Sequence, residues 1–261
     1  MIKLIVSDID GTLVNNEKQV PESFWEVFKL IQQKEILFCA ASGRQIQSLQ
    51  ALFAPIKEQI AFAPDNGASL IYQGETLFEC PISLSELLPI LHTCTQIDHI
   101  GVALCGKKSA YVKTDDEWIF GEIARHYPAY TRVTHFSDIN DDIFKITICD
   151  TATSRLNSYK YLQQYNPNFN VVVSGEIWLD ITRKDVCKGN AIAHLQSILQ
   201  ITPDETVAFG DHLNDVELMQ CATYSYAMKN AQEELKNIAN YVTQYDNNEE
   251  GVVKTITHLL N

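Results

Sequence analysis

Four short stretches of this chain hold side chains with chemistry to offer. The first, Asp8-Ile9-Asp10-Gly11-Thr12-Leu13, follows the apolar run Leu4-Ile5-Val6. Alternate side chains of an extended segment share a face, so Asp8 and Asp10 point roughly together while Ile9 turns toward the core. Two neighbouring carboxylates repel and desolvate badly unless a cation or a shared proton compensates them. Gly11 lets the backbone turn and bring N–H groups toward an anion. A solvated Asp-Gly turn is the plain alternative. An EF-hand calcium loop is not matched, because it needs a third acidic or amide ligand before the glycine and a distant glutamate.

The second stretch, Ser42-Gly43-Arg44, ends the apolar run at Ala40-Ala41. A hydroxyl with free backbone N–H groups at a helix start can seat a phosphate oxygen, though taken alone a plain N-cap serine is the better explanation. Arg44 could reach an anion or cover the helix surface. The third, Gly210-Asp211-His212-Leu213-Asn214-Asp215, places two acids four residues apart, on one face of any helix that begins there. A metal shared between Asp8 and this cluster would explain acids at adjacent strand ends, whereas capping and the helix dipole would account for one of them structurally. His212 reads as a solvent-facing loop residue, since hard divalent ions prefer oxygen. The fourth is Lys188, before Gly189-Asn190 and a helix. A cation at a helix start runs against the dipole and makes sense if it neutralises an anion.

These clusters need a scaffold. Residues 2–7 and 36–41 are short apolar runs, and between them Phe24, Val27, Phe28 and Ile31 recur at helical spacing after Pro21. Such a strand–helix–strand rhythm predicts βαβ units in a parallel sheet. The C-terminal third repeats it, with helices over 191–199, 215–221, 231–239 and 251–260 and strands over 206–209, 224–228 and 241–243. From 83 to 184 the pattern changes to helix 84–95, strands 99–105 and 109–114, helix 116–126, strand 143–149, helix 153–165 and strands 169–174 and 176–182. Gly106-Lys107-Lys108 and Ser174-Gly175 read as hairpin turns. The expected fold is therefore α/β: a doubly wound, Rossmann-like parallel-sheet core, 1–82 and 185–261, interrupted by an inserted α+β domain, 83–184.

Composition bounds the function. In 261 residues, 33 Asp and Glu against 20 Lys and Arg give a net charge of −13, which argues against a nucleic-acid partner that would require a basic surface. The longest apolar runs fall far short of the roughly 20 residues needed to cross a bilayer, so no membrane partner is expected. The N-terminus lacks the long apolar region of a signal peptide, and seven scattered cysteines without a Cys-x-x-Cys pair fit neither a disulfide framework nor a zinc site. A soluble, cytoplasmic protein is expected; oligomeric state is not legible.

Asp8-x-Asp10-Gly-Thr-Leu, Ser42-Gly-Arg, Lys188-Gly and Gly210-Asp211-x-x-Asn214-Asp215 together resemble the four motifs of the haloacid dehalogenase-like hydrolase superfamily. The inserted αββαβαββ order is similar to the cap of its Cof-like branch, as are Asn66-Gly67-Ala68 and Ala227-Met228-x-Asn230-Ala231. The resemblance implies a magnesium-dependent phosphatase of small phosphorylated metabolites, sugar phosphates ahead of cofactor phosphates such as pyridoxal phosphate or flavin mononucleotide. It implies Asp8 as the nucleophile that forms an aspartyl-phosphate, Asp10 as general acid and then base, and Lys188 and Ser42 on the phosphoryl oxygens with Gly43 N–H and Asn214. Magnesium would be held by Asp8, the Asp10 carbonyl and Asp211, with Asp215 supporting that set. Asn66 and Arg44 are possible substrate contacts. The cap would choose the leaving group and hinge near 81–84 and 182–185, and aromatics such as Trp118, Tyr127, Tyr130 and Trp178 would either stack on a substrate ring or pack its interior. A phosphomutase would use the same aspartate pair, and a phosphometabolite-binding regulator would keep the site without turnover. Manganese suits the same oxygen-rich site.

Overall fold

The computed structural model describes residues 1–260, which fall into two units, 1–79 with 186 onward, and 80–185. In the first unit the apolar runs become a sheet. Its strands are β1 (Leu4–Ser7), β2 (Leu37–Ala41), β3 (Ala61–Ala63), β4 (Ser69–Tyr72) and β5 (Glu75–Glu79), then β12 (Thr206–Gly210), β13 (Tyr224–Ala227) and β14 (Tyr241–Val242). The spatial order is β14-β13-β12-β1-β2-β3-β4-β5. Strands from β14 to β3 pair in parallel, and the β3–β4–β5 edge is antiparallel. The doubly wound core expected from the sequence is present, with this added hairpin edge.

β1 lies between β2 and β12, where the order of connection reverses. Leu4 pairs with both Leu37 and Thr206, and Ser7 with Ala40 and Phe209, so the three strands end at nearly the same level. Open α/β sheets bind ligands beyond such a point. Helices α1 (Glu22–Gln33) and α2 (Ile46–Leu52), then α6 (Lys188–Leu199), α7 (Val216–Gln220), α8 (Glu233–Ile238) and α9 (Gly251–Leu260), connect or flank these strands. α1 follows Pro21 and buries Phe24, Val27, Phe28 and Ile31, the face expected from their spacing. Phe24 meets Phe38 and Phe53 edge-on at ring distances of 5.2 and 6.0 Å. Each such ring contributes about 1.5–3 kcal/mol by leaving water. Gly189 is required for close approach: a Cβ there would stand 2.5 Å from the Glu217 backbone, so α6 can lie against α7 and deliver Lys188 only without a side chain at this position.

The second unit contains α3 (Leu84–Cys94), β6 (Ile100–Gly106), β7 (Ala110–Lys113), α4 (Glu117–His126), β8 (Tyr130–Arg132), β9 (Ile143–Asp150), α5 (Ser158–Leu162), β10 (Phe169–Val173) and β11 (Trp178–Arg183). Its sheet order is β10-β11-β9-β6-β7-β8, antiparallel except for the β7–β8 pair. Leu87 and Ile90 of α3 and Leu162 of α5 pack with Val102, Ile146, Ile148, Leu179 and Ile181. On the other face, Ile119 and Ile123 of α4 cover Ala103, Val112 and Cys149. Ser83 and Glu86 form a capping box at the start of α3, and Asp116 accepts from the Trp118 and Ile119 N–H groups at the start of α4.

Two details depart from the sequence reading. The helix expected over 153–165 shortens to α5 and one following 3-10 turn, because the buried Asp150 carboxylate accepts from the Ala152 and Ser158 N–H groups and the Asn157 amide. Thr153 accordingly takes a left-handed φ of 72°. Between the expected helix 116–126 and strand 143–149, β8 forms a parallel pair with β7 although all three of its residues are exposed. Arg132 stabilises it by pairing with Glu117 and lying 3.8 Å above the Phe120 ring. Among the described residues, no helix is long and apolar enough to cross a membrane.

Candidate active site

The flush ends of β2, β1 and β12 place Ser42, Asp8 and Asp211 at one edge of the sheet, and Lys188 arrives as the first residue of α6. The Lys188 ammonium, 1% exposed, donates to Asp8 Oδ1 at 2.5 Å and to Asp215 Oδ1 at 2.7 Å. Burial works against that charge, but Asp215 and Asp8 outweigh it and hold the ammonium protonated above its ordinary range. The other Asp215 oxygen accepts from the Asp211 and His212 N–H groups at 3.0 and 3.2 Å. Both Asp215 oxygens are thus engaged, one by the lysine and one by the turn that carries Asp211.

Asp8 is 4% exposed. Burial pushes its carboxyl up to about 7, with Lys188 opposing and the Asp215 and Asp211 charges adding to the rise. Asp211 also stands above its ordinary value, through burial and then the Asp215 charge, while Thr12 Oγ1 donates to its Oδ1 at 3.1 Å. Among the described residues, Asp8, Asp211 and Asp215 are a group whose ligand atoms lie within 4.8 Å of one another. Three carboxylates around one ammonium leave a net charge of about −2 in a buried place, where uncompensated charge is costly. An all-oxygen set of this kind fits a hard divalent cation. Gly11, at φ 80°, is packed so closely on the Asp211 carboxylate that any Cβ would collide with it.

Asp10 differs from Asp8. Arg44 grips it with two bonds of 2.7 Å, Nε to Oδ2 and Nη2 to Oδ1, and Lys18 Nζ adds a third at 2.9 Å to Oδ1. Partial burial alone would raise its carboxyl, but Arg44 and then Lys18 prevail and hold it down to about 2. Two aspartates two residues apart are therefore pushed in opposite directions, a separation common where two carboxylates divide acid, base and nucleophile roles.

Ser42 is 1% exposed, and its Oγ accepts from the Arg44 N–H at 3.2 Å. Beside it Asp65, Asn66 and Gly67 all adopt positive φ, of 49, 57 and 87°. That left-handed run sends the Asn66 N–H to the Ser42 carbonyl at 2.9 Å, and Asn66 Oδ1 accepts from Asn214 Nδ2 at 2.9 Å. A Cβ on Gly43 would meet Asn66 Oδ1 at 3.3 Å, so Ser42, Gly43, Asn66 and Asn214 form one polar surface. The structure thus joins Asp8, Lys188, Asp211 and Asp215 directly, and joins Arg44 to Asp10 rather than leaving it beside them. His212 is exposed in its turn.

Lys18 was not singled out by sequence. A signal was available in Asn15, whose Oδ1 accepts from the Glu17 and Gln19 N–H groups and closes the turn that aims the lysine. Thr12 was read only as part of a motif, and its bond to Asp211 becomes visible once β1 and β12 are neighbours.

Comparison with known proteins agrees with this geometry. The family model described as haloacid dehalogenase-like hydrolase matches residues 5–256. The chain belongs to that family. A 5-amino-6-(5-phospho-D-ribitylamino)uracil phosphatase of Escherichia coli K12, YbjI, is 30% identical over 99% of this chain and 96% of its own. A Bacillus subtilis protein of the same activity by name, YcsE, is 25% identical over 98% of this chain and 95% of its own. The crystal structure of SMU.1108c from Streptococcus mutans UA159 superimposes with a TM-score of 0.87 at 29% identity, covering 100% of this chain and 99% of the other. The expectation of a hydrolase of the phosphatase kind accords with these relatives.

Proposed function

We propose that this chain is a divalent-metal-dependent phosphatase of small phosphorylated metabolites, sugar and polyol phosphates foremost, acting through Asp8. The observation that carries the reading is the fully buried Lys188 ammonium shared by Asp8 and Asp215 next to Asp211. A carboxylate cannot approach an anionic phosphate unless cationic groups screen the two charges, and this arrangement supplies one such group at the attacking atom.

An Asp8 oxygen attacks phosphorus and the bond to the leaving oxygen breaks, giving an aspartyl-phosphate and an alcohol. Lys188, the Ser42 hydroxyl, the Gly43 N–H and Asn214 hold the phosphoryl oxygens. Asp10 donates the proton that the departing alkoxide requires, then accepts one from the water that hydrolyses the intermediate. Held by Arg44 and Lys18 it stands ready as the base, so the first half-reaction requires it to part from a cation and take up a proton. Magnesium, or manganese by the same oxygen preference, would be held by Asp8, Asp211 and the Asp10 carbonyl, with Asp215 orienting Lys188 and the Asp211 turn. When bound it supplies charge neutralisation and polarises the phosphoryl oxygens. Residues 83–184 are assigned the choice of leaving group.

Two relatives are named as 5-amino-6-(5-phospho-D-ribitylamino)uracil phosphatases, which supports trying that ester first. Pyridoxal phosphate and flavin mononucleotide are the cofactor phosphates to try beside it. The test is phosphate release from a panel of such esters with magnesium, beside an Asp8→Asn variant. Turnover that disappears in the variant is expected. Folded, metal-loaded protein that releases phosphate from none of them would overturn the proposal.

A further inference from the structure

Asn230 and Asn247 lie outside the carboxylate–ammonium cluster, yet both grip the turn that carries Asp10. Asn230 Nδ2 donates to the Gly11 carbonyl at 2.8 Å, and its Oδ1 accepts from the Asn247 N–H at 3.2 Å. Asn247 is 4% exposed, and its Nδ2 donates to the Val14 carbonyl at 3.1 Å and to Asn16 Oδ1 at 3.2 Å. The Asn16 N–H in turn donates to Asn248 Oδ1 at 3.0 Å. Gly11, Val14 and Asn16 are thereby fastened at three points to a segment more than two hundred residues away in sequence.

The N–H groups of Thr12, Leu13 and Val14 all converge on the single Ile9 carbonyl, at 3.3, 3.1 and 3.0 Å. The Gly11 and Val14 carbonyls accept instead from the Asn230 and Asn247 carboxamides. Water would satisfy such carbonyls at similar free energy, so what the two carboxamides add is chiefly a fixed direction. Three reaching groups depend on it: the Asp10 carboxylate, the Lys18 ammonium bonded to it, and the Thr12 hydroxyl on Asp211.

We infer that Asn230 and Asn247 are positioning residues for proton transfer by Asp10. They do not touch the reacting atoms; they hold the turn so that the Asp10 carboxyl meets the leaving oxygen. The inference rests on the reading of Asp10 as the acid, and displacement of a reacting group by about 1 Å costs about a hundredfold in rate.

The test exploits leaving-group chemistry. Ribitol 5-phosphate leaves as an alkoxide that needs a proton, whereas p-nitrophenyl phosphate leaves as a stable phenolate that does not. Single-turnover cleavage is compared in the wild type, Asn230→Ala and Asn247→Ala, the first of these substitutions being at an exposed position. Cleavage of ribitol 5-phosphate is expected to slow about ten- to a hundredfold with KM nearly unchanged, and nitrophenolate release to change by less than about threefold. Equal slowing of both esters, or of neither, would overturn the inference. Amide hydrogen exchange is the second readout, with faster exchange expected over residues 9–19 and little change elsewhere. Protected, unaltered amides there would overturn it too. Should the wild type cleave neither ester, the phosphatase reading fails on that count, and the exchange result alone decides whether the two asparagines hold the turn.

Discussion

Replacing Asp8 by asparagine is expected to stabilise the metal-free protein at pH 8 and to leave it nearly unchanged at pH 4. Asp8 is 4% exposed, and its carboxyl is pushed from 3.8 to about 7 by burial among like charges. A carboxyl raised in the folded state binds a proton that the unfolded chain has already lost. Its contribution to stability is therefore fully present below about pH 4 and declines until the pH passes about 7. A rise of about three pH units corresponds to a ceiling of about 4 kcal/mol. Asparagine has the shape of the neutral acid and still offers an oxygen to Lys188, so it escapes that loss. With roughly half the ceiling realised, the unfolding midpoint in chelator at pH 8 should rise by about 4–8 °C for a chain of this size. At pH 4, where the folded and much of the unfolded wild type carry a neutral carboxyl, the two proteins should unfold within about 2 °C of each other. Magnesium added at pH 8 should stabilise the wild type more than the variant, because binding to the folded state alone adds free energy that grows with the logarithm of affinity. The assay is thermal denaturation at both pH values, with chelator and with magnesium. A variant less stable than the wild type by the same amount at pH 4 and pH 8 would refute the reasoning, since no excess of buried negative charge would then exist around Asp8.

Other expectations follow from single contacts. Gly11→Ala places a methyl group against the Asp211 carboxylate at a residue with φ 80°, and should cost about 1–3 kcal/mol and weaken magnesium binding measured by calorimetry. Arg44→Gln should let the Asp10 carboxyl rise from about 2 toward the ordinary range, a shift read by carbon NMR titration. The stability that Asp10 contributes is present above the ordinary carboxylate range and lost as the pH falls through about 2. Because its side chain is 36% exposed and screened, the Arg44→Gln penalty at pH 7 should stay near 1 kcal/mol. Asp150→Ala removes the acceptor of two N–H groups and one amide at the start of α5, and should destabilise the second unit by about 2–4 kcal/mol in urea unfolding, with the Asp8–Lys188 environment unaffected.

Asp8, Ser42 and Asp211 were legible because each ends a short apolar run, and such runs announce buried strands whose carboxyl ends gather at one edge. Lys188 was legible as a charge set against a helix dipole. Which acid engages which partner was not. Asp211 and Asp215 have the same spacing rule in sequence, and only the neighbouring lysine and the turn's own N–H groups separate them. Lys18 escaped because the Asn15 turn that aims it also depends on bonds from residues 247 and 248. β8 escaped for the opposite reason. Its three residues are exposed, so no apolar alternation marks it, and its partner strand supplies the order. The short α5 shows a side chain overruling periodicity: Asp150 captures backbone donors that a longer helix would have used.

The position of β1 between β2 and β12 has a consequence for biosynthesis. One neighbour of β1 leaves the ribosome within about thirty residues, and the other not until most of the chain has been made. Residues 80–185 are continuous and complete their own sheet before β12 exists, so this segment can fold while β1 still waits with one edge bare. Asp8 and Lys188 are 180 residues apart, and their pairing belongs to the closing stage of folding. A nascent chain stalled before β12 would therefore carry a finished insert, an exposed strand edge and no assembled charge cluster, the state in which a chaperone has most reason to bind it.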